Sequence, residues 1–129
     1  MRSKEEVLEF KQQLEQRTED FAVVVLKLLD ALPKKTSTKI VAYQLGKSAS
    51  SIGANYREAN RGESKDDFAH KIQIALKESS ETCYWLSILS RLYPEHSSKP
   101  NSVIQRLCTE AVELRNLLQS IARKVRTKR

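Results

Sequence analysis

The side chains of this 129-residue chain that could do chemistry are few and scattered. His70 and His96 are its only histidines, and Asp67 precedes His70 in a lone carboxylate-x-x-histidine. A helical di-iron site needs that motif twice, with two further inward-facing carboxylates, and a zinc site needs a set of Cys, His or carboxylate ligands. No metal or other cofactor is therefore expected. Glu58, Glu78 and Glu81 could supply paired carboxylates for acid-base work, but Lys47, Arg57 and Lys77 stand near enough along the helices to make an ion-pair network of them. Ser48, Ser50 and Ser51 lack the flanking pattern of a nucleophile elbow. Cys83 and Cys108 fall at core-like positions with no short spacing between them. The residues offer no catalytic constellation, and the chain reads as a non-enzyme.

What remains chemically distinctive is charge. The net charge is +7 and unevenly placed: residues 1 to 33 carry five Lys/Arg against seven Asp/Glu, whereas residues 34 to 129 carry eighteen against nine. Such a bias favours polyanion partners, RNA or DNA. The basic residues fall into three groups. Tyr43, Lys47, Arg57 and Arg61 recur at helical spacing on the side of one helix away from its apolar stripe. Read functionally, this stripe meets phosphates while Tyr43 stacks on a base; read structurally, it is a solvated face or half of an oligomer contact, which periodicity alone favours. The terminal ARKVRTKR holds Arg123, Lys124, Arg126, Lys128 and Arg129, more positive charge than a helix C-terminus asks for. Lys34, Lys35 and Lys39, joined by Arg91 and Lys99, gather at the opposite end, and Lys65 adds a further candidate.

The elements that position these groups follow from apolar periodicity. Val7, Phe10, Leu14, Phe21, Val25, Leu28 and Leu32 predict a first helix closed by Pro33. Val41, Leu45, Ser48, Ile52, Tyr56 and Ala59 predict a second, ending at Asn60, with Gly62 expected to take the left-handed C-terminal conformation. Ser64 with Asp67 resembles a shortened capping box ahead of Phe68, Ile72, Ala75, Ser79, Leu86, Leu89 and Tyr93, and Pro94 closes this third helix. Pro100 suits the first turn of a fourth, striped by Ile104, Leu107, Ala111, Leu114, Leu118, Ile121 and Val125. Short links make successive helices antiparallel, so the expected architecture is all-α: one up-down-up-down four-helix bundle domain over residues 1 to 129, with a basic tail from about 123. Small residues around Gly53 would let the second helix approach its neighbours closely.

Two segments have more apolar surface than one stripe requires. Ile74, Trp85, Ile88 and Leu92 lie roughly opposite the main stripe of the third helix, and Val23, Leu26 and Leu29 lie off that of the first. Both sit at the same end of the bundle, which points to self-association, or else to a wide core. The longest apolar run, Phe21 to Leu26, is far short of the roughly 20 residues that span a bilayer. With lone thiols and no signal-peptide pattern, a cytoplasmic protein is expected.

QLGKSASSIGANYREANRGESKDDFAHKIQIALKESSETCYWLSIL, residues 44 to 89, resembles the bacterial four-helix bundle family encoded within intervening sequences of 23S ribosomal RNA genes. That family's second helix carries Arg-Ser-x-x-Ser-Ile-x-Ala-Asn-x-x-Glu, matched by Lys47, Ser48, Ser51, Ile52, Ala54, Asn55 and Glu58 with lysine in place of arginine. Its third-helix pattern is matched by Ser64, Lys65, Asp67, Phe68, Ile74, Ala75, Lys77, Glu78, Glu81, Tyr84, Trp85 and Leu86. Gly46, where a bulkier residue is usual, and the link from Pro94 to Pro100 depart from it. The resemblance implies a non-enzymatic bundle that assembles as a homopentamer and has a nucleic-acid role. In that setting Asn55, Glu58, Lys77 and Glu81 would form a hydrogen-bonded bridge between the second and third helices, and Ile74, Trp85, Ile88 and Leu92 would lie at the subunit contact. The related accessory proteins of diversity-generating retroelements are similar pentamers that bind nucleic acid and a reverse transcriptase, which gives an alternative reading; a protein-interaction scaffold is another.

Overall fold

A computed structural model describes residues 2–94 and 99–127. Four helices follow one another: α1 (Lys4–Ala31), α2 (Thr36–Asn60), α3 (Lys65–Leu92) and α4 (Lys99–Thr127), with no strand among the described residues. Each begins or ends where local chemistry dictates. At the start of α1 the Ser3 hydroxyl accepts from the Glu6 N–H at 3.1 Å, and the Glu6 carboxylate accepts from the Ser3 N–H at 3.3 Å. This capping box satisfies two otherwise orphaned donors. α3 opens with half of one, Ser64 Oγ accepting from the Asp67 N–H at 3.0 Å. At α2 the N-cap is Lys35, whose side chain has no acceptor to offer. The Thr38 hydroxyl does the work instead, accepting from the Lys35 N–H at 2.9 Å and donating to the Pro33 carbonyl.

Cross-helix pairs fix the directions. Leu26 and Leu29 of α1 meet α2 at Gly46, while Glu15 meets it at Asn60 and Arg61, so α1 and α2 run antiparallel. Ser48 with Thr82 and Glu58 with Lys71 do the same for α2 and α3, and Tyr93 with Asn101 for α3 and α4. Arg17 with Glu110 closes the ring between α1 and α4. All six stripe residues predicted for α2 are buried, as are Ile72, Ala75, Ser79, Leu86 and Leu89 of α3 and Ile104, Leu107, Ala111, Leu114 and Leu118 of α4. Each large aliphatic among them stabilises the fold by roughly 1.5–3 kcal/mol through burial. The buried Thr82 hydroxyl donates to Ser48 Oγ at 3.0 Å, keeping both polar groups satisfied inside the core.

Two expectations need correction. Val7, at the start of the α1 stripe, is exposed, because the first turns of α1 run past the core, which begins at Leu14. Gly62 does not take a left-handed conformation: no described residue has positive φ. Arg61 closes α2 at φ −110°, and Gly62 instead permits tight passage, since a Cβ there would lie 3.2 Å from the Ala59 carbonyl oxygen and 3.3 Å from Asp67 Cβ. The described part of the basic segment expected from about residue 123 is helical. It continues α4 to Thr127, with Val125 half-buried on it.

Candidate nucleic-acid interface

The basic stripe of α2 divides in two. Toward its C-terminal end Arg57 reaches Glu15 at 3.4 Å and Glu19 at 3.3 Å, and Arg61 reaches Glu15 at 3.0 Å. The Asn60 amide adds a hydrogen bond to Glu15 at 2.9 Å. Glu15 is well covered, and the Arg61 hydrogen bond, working against burial, holds its carboxyl below the usual carboxylate range. Antiparallel packing lays the acid-rich half of α1 along this part of α2, so these two arginines are neutralised within the fold. They are correspondingly weak candidates for phosphate. On the other flank of α1, Arg17 makes 2.6 Å contacts with both Glu110 and Glu113 of α4. Its bidentate hold on Glu110 pushes that carboxyl down and the guanidinium up.

The other half of the stripe faces water. Tyr43 is 66% exposed, and the Lys47 ammonium stands 6.0 Å from its ring centroid. Beside Tyr43, the last turn of α1 and the first turns of α2 enclose an open groove of about 410 Å³. Its floor is apolar, from Leu26, Leu29, Leu32, Pro33 and Ala42, and its rim carries Lys34, Lys39 and Tyr43, with Asp30 as the single acid among the described residues of the lining. Lys34, Lys35 and Lys39 are exposed, and their side chains have no hydrogen-bond or ion-pair partner among the described residues. Arg91 is exposed at the end of α3.

At the opposite end of the bundle, Lys65, Arg123, Lys124 and Arg126 are all exposed, but Glu5, Glu6, Asp66 and Asp67 occupy the first turns of the neighbouring helices. The charge there is mixed. Lys128, Arg129, His96 and the side chain of Lys99 lie outside the described residues.

The bridge expected of Asn55, Glu58, Lys77 and Glu81 does not form within the chain. Asn55 donates to the Ser51 carbonyl of its own helix at 2.9 Å, and Glu58 pairs with Lys71 at 3.4 Å. The Ser48–Thr82 contact sets a register in which Glu58 stands opposite Lys71; Lys77 is six residues, about 9 Å, further along. Lys77 is exposed, and Glu81 lies against Glu78. Burial first, then the Glu81 charge, push the Glu78 carboxyl above its usual range, partly offset by Lys77 and Lys47. Serine hydroxyls 50 and 51 bond back to the Gly46 and Lys47 carbonyls, each at 2.8 Å, which leaves neither with a neighbouring base. Burial raises both cysteine thiols. Among the described residues no group of three or more metal-ligating side chains comes together, and no helix is long and apolar enough to cross a membrane.

Of the second α3 stripe, Trp85 and Ile88 rest half-buried against the core, Ile74 is half-buried, and Leu92 is 43% exposed. Tyr84 packs edge-on against Trp85 with ring centroids 5.1 Å apart. The register of α2 on α3 brings Ile40, 55% exposed, level with the turn that holds Leu92. Trp85, Ile88 and Leu92 with Ile40 therefore form an apolar seam at one end of the α2–α3 pair, separated from Ile74 by Glu78 and Glu81. Sequence periodicity on α3 alone did not disclose the Ile40 contribution.

The structure is similar to a crystal structure of a protein of unknown function from the S23 ribosomal protein family of Bacteroides thetaiotaomicron VPI-5482, at 34% sequence identity and a TM-score of 0.72, covering 84% of this chain and 97% of that one. No match was found among curated proteins. Residues 10–120 match the family described as 23S rRNA-intervening sequence protein. With that match spanning most of α1 through α4, and the signature residues of α2 and α3 lying on one packed pair of helices, the chain belongs to the 23S rRNA-intervening sequence protein family.

Proposed function

We propose that this protein is a non-enzymatic helical bundle that self-associates, as a pentamer on the family resemblance, and binds RNA or DNA with little sequence preference through basic surfaces. The observation that carries this reading is the arrangement of charge: Arg17, Arg57 and Arg61 are paired with acids of neighbouring helices, while Lys34, Lys35 and Lys39 stand exposed at one end with no partner among the described residues. Surface lysines held clear of acids are what phosphate neutralisation requires, and assembly multiplies them. A non-enzymatic role is supported by the fate of the carboxylates, because Glu58 is paired with Lys71, and Glu78 and Glu81 lie half-buried together near the charges of Lys77 and Lys47.

A protein partner, including a reverse transcriptase, is a second reading, favoured by the exposed Ile40 and Leu92 on the α2–α3 seam. Filter binding across a salt series separates the two. Nucleic-acid binding predicts retention whose log affinity falls linearly with log salt, by about 0.7 per phosphate neutralised on a single strand. No retention of any nucleic acid near physiological salt would leave the protein-interaction reading standing.

A further inference from the structure

We propose that the groove between the last turn of α1 and the first turns of α2 is a single-strand site, in which an unpaired base stacks on Tyr43 over the apolar floor while Lys34 and Lys39 hold the adjoining phosphates. The inference rests on the nucleic-acid reading above and narrows it to one place and one form of ligand. Tyr43 has no part in the core, and at 66% exposure it presents a large apolar ring to water. Exposed aromatics flanked by cations are the working parts of single-strand binders, because every base offers a face to stack and every nucleotide a charge to neutralise. Lys39 and Lys47 bracket Tyr43 by one turn each, about 6 Å along the helix on either side. This gives a charge–ring–charge ridge along α2.

The groove completes the chemistry. Leu26, Leu29 and Ala42 give an apolar surface beside the ring, and the volume of about 410 Å³ lies within the range of small-ligand pockets. Asp30 is the only acid among the described residues of the lining, set against Lys34 and Lys39. No comparable arrangement exists beside Arg57 and Arg61, where Glu15 and Glu19 have claimed the cations. The larger groove between α1 and α4 has an apolar floor too, but its Arg17 is locked to Glu110 and Glu113, and the aromatic in its lining, Phe21, is buried, so Arg106 there has no exposed ring beside it. A base-paired duplex would bring only its phosphates to this ridge, since its base faces are already stacked.

Fluorescence anisotropy on the full chain tests the site with four labelled probes: a 12-nucleotide oligouridine, the matching oligothymidine, a duplex of equal length, and an abasic 12-mer. Tyr43→Ala is expected to weaken binding of the base-bearing single strands by about 5- to 150-fold, Tyr43→Phe to preserve it, and neither to change binding of the abasic strand. Lys34→Ala and Lys39→Ala should each lower the salt slope on single strands by about 0.7. A preference between the uridine and thymidine probes identifies RNA or DNA as the source of the strand. Because Tyr43 is exposed, its variants should melt with wild type, which circular dichroism checks. Salt-dependent binding of single strands that Tyr43→Ala leaves unchanged, or equal affinity for abasic and base-bearing strands, overturns the groove while the broader reading survives. Failure of every probe to bind near physiological salt overturns both.

Discussion

Gly46 and Gly53 stand two turns apart on α2, and their surroundings assign them opposite roles. A Cβ at 53 would lie 2.8 Å from Thr18 Oγ1 and 3.0 Å from Thr18 Cβ, both on a short, branched, buried side chain with little room to move. Gly53→Ala should therefore destabilise the bundle by about 1 kcal/mol or more, overpacking outweighing the gain in helix propensity. At 46 the nearest atoms, on Leu26 and Leu29, are 3.5 Å away, an ordinary contact. Gly46→Ala should stabilise by up to about 1 kcal/mol, and urea denaturation of the two variants checks both signs. The packing reason for Gly53 was legible from a glycine inside an unbroken helical rhythm. Its partner was not, because Thr18 lies on another helix. Glu78 offers a second test at this scale. Its raised pKa means that the fold favours the protonated acid, so the contribution is present at acid pH and is lost as pH rises through the folded value. Glu78→Gln should raise the melting temperature at neutral pH, with a gain that disappears on acidification.

Between elements, Glu15 works the other way. Its carboxyl is held low, chiefly by Arg61, so its contribution is present above the ordinary carboxylate pKa and is lost as pH falls through the lower folded value. Glu110, held by Arg17, behaves alike. Thermal melts should show wild type losing stability as pH falls below the ordinary carboxylate range, with Glu15→Gln less stable at neutral pH and flatter across that fall. Equal slopes would mean that the α1–α2 ion pairs contribute nothing. The helices themselves could be read from sequence, because a period near 3.6 is a local property and the α2 stripe from Val41 to Ala59 is buried throughout. The pairing of their charges could not. Glu15 and Arg61 are 46 residues apart, and only the register of α1 on α2 brings them together. The Ser3–Glu6 capping box is a different case, since Ser-x-x-Glu at residues 3 to 6 is a local signal that the apolar stripes overshadow.

At the scale of the whole molecule, the proposed self-association and the proposed nucleic-acid binding call for separate tests. Sedimentation at micromolar concentration should show a homo-oligomer, and Trp85→Ala should weaken it more than Tyr43→Ala, because Trp85 lies on the apolar seam and Tyr43 on the charged ridge. A monomer with well-dispersed spectra would contradict self-association. The central claim is that free charge, more than total charge, makes the nucleic-acid surface. Salt-series filter binding of Lys34→Ala/Lys35→Ala/Lys39→Ala beside Arg57→Gln/Arg61→Gln tests it most directly. The lysine variant should lose about 2 from the single-strand salt slope while remaining folded, and the arginine variant should keep its slope while losing thermal stability. An unchanged slope in the lysine variant, with a reduced one in the arginine variant, would contradict the account.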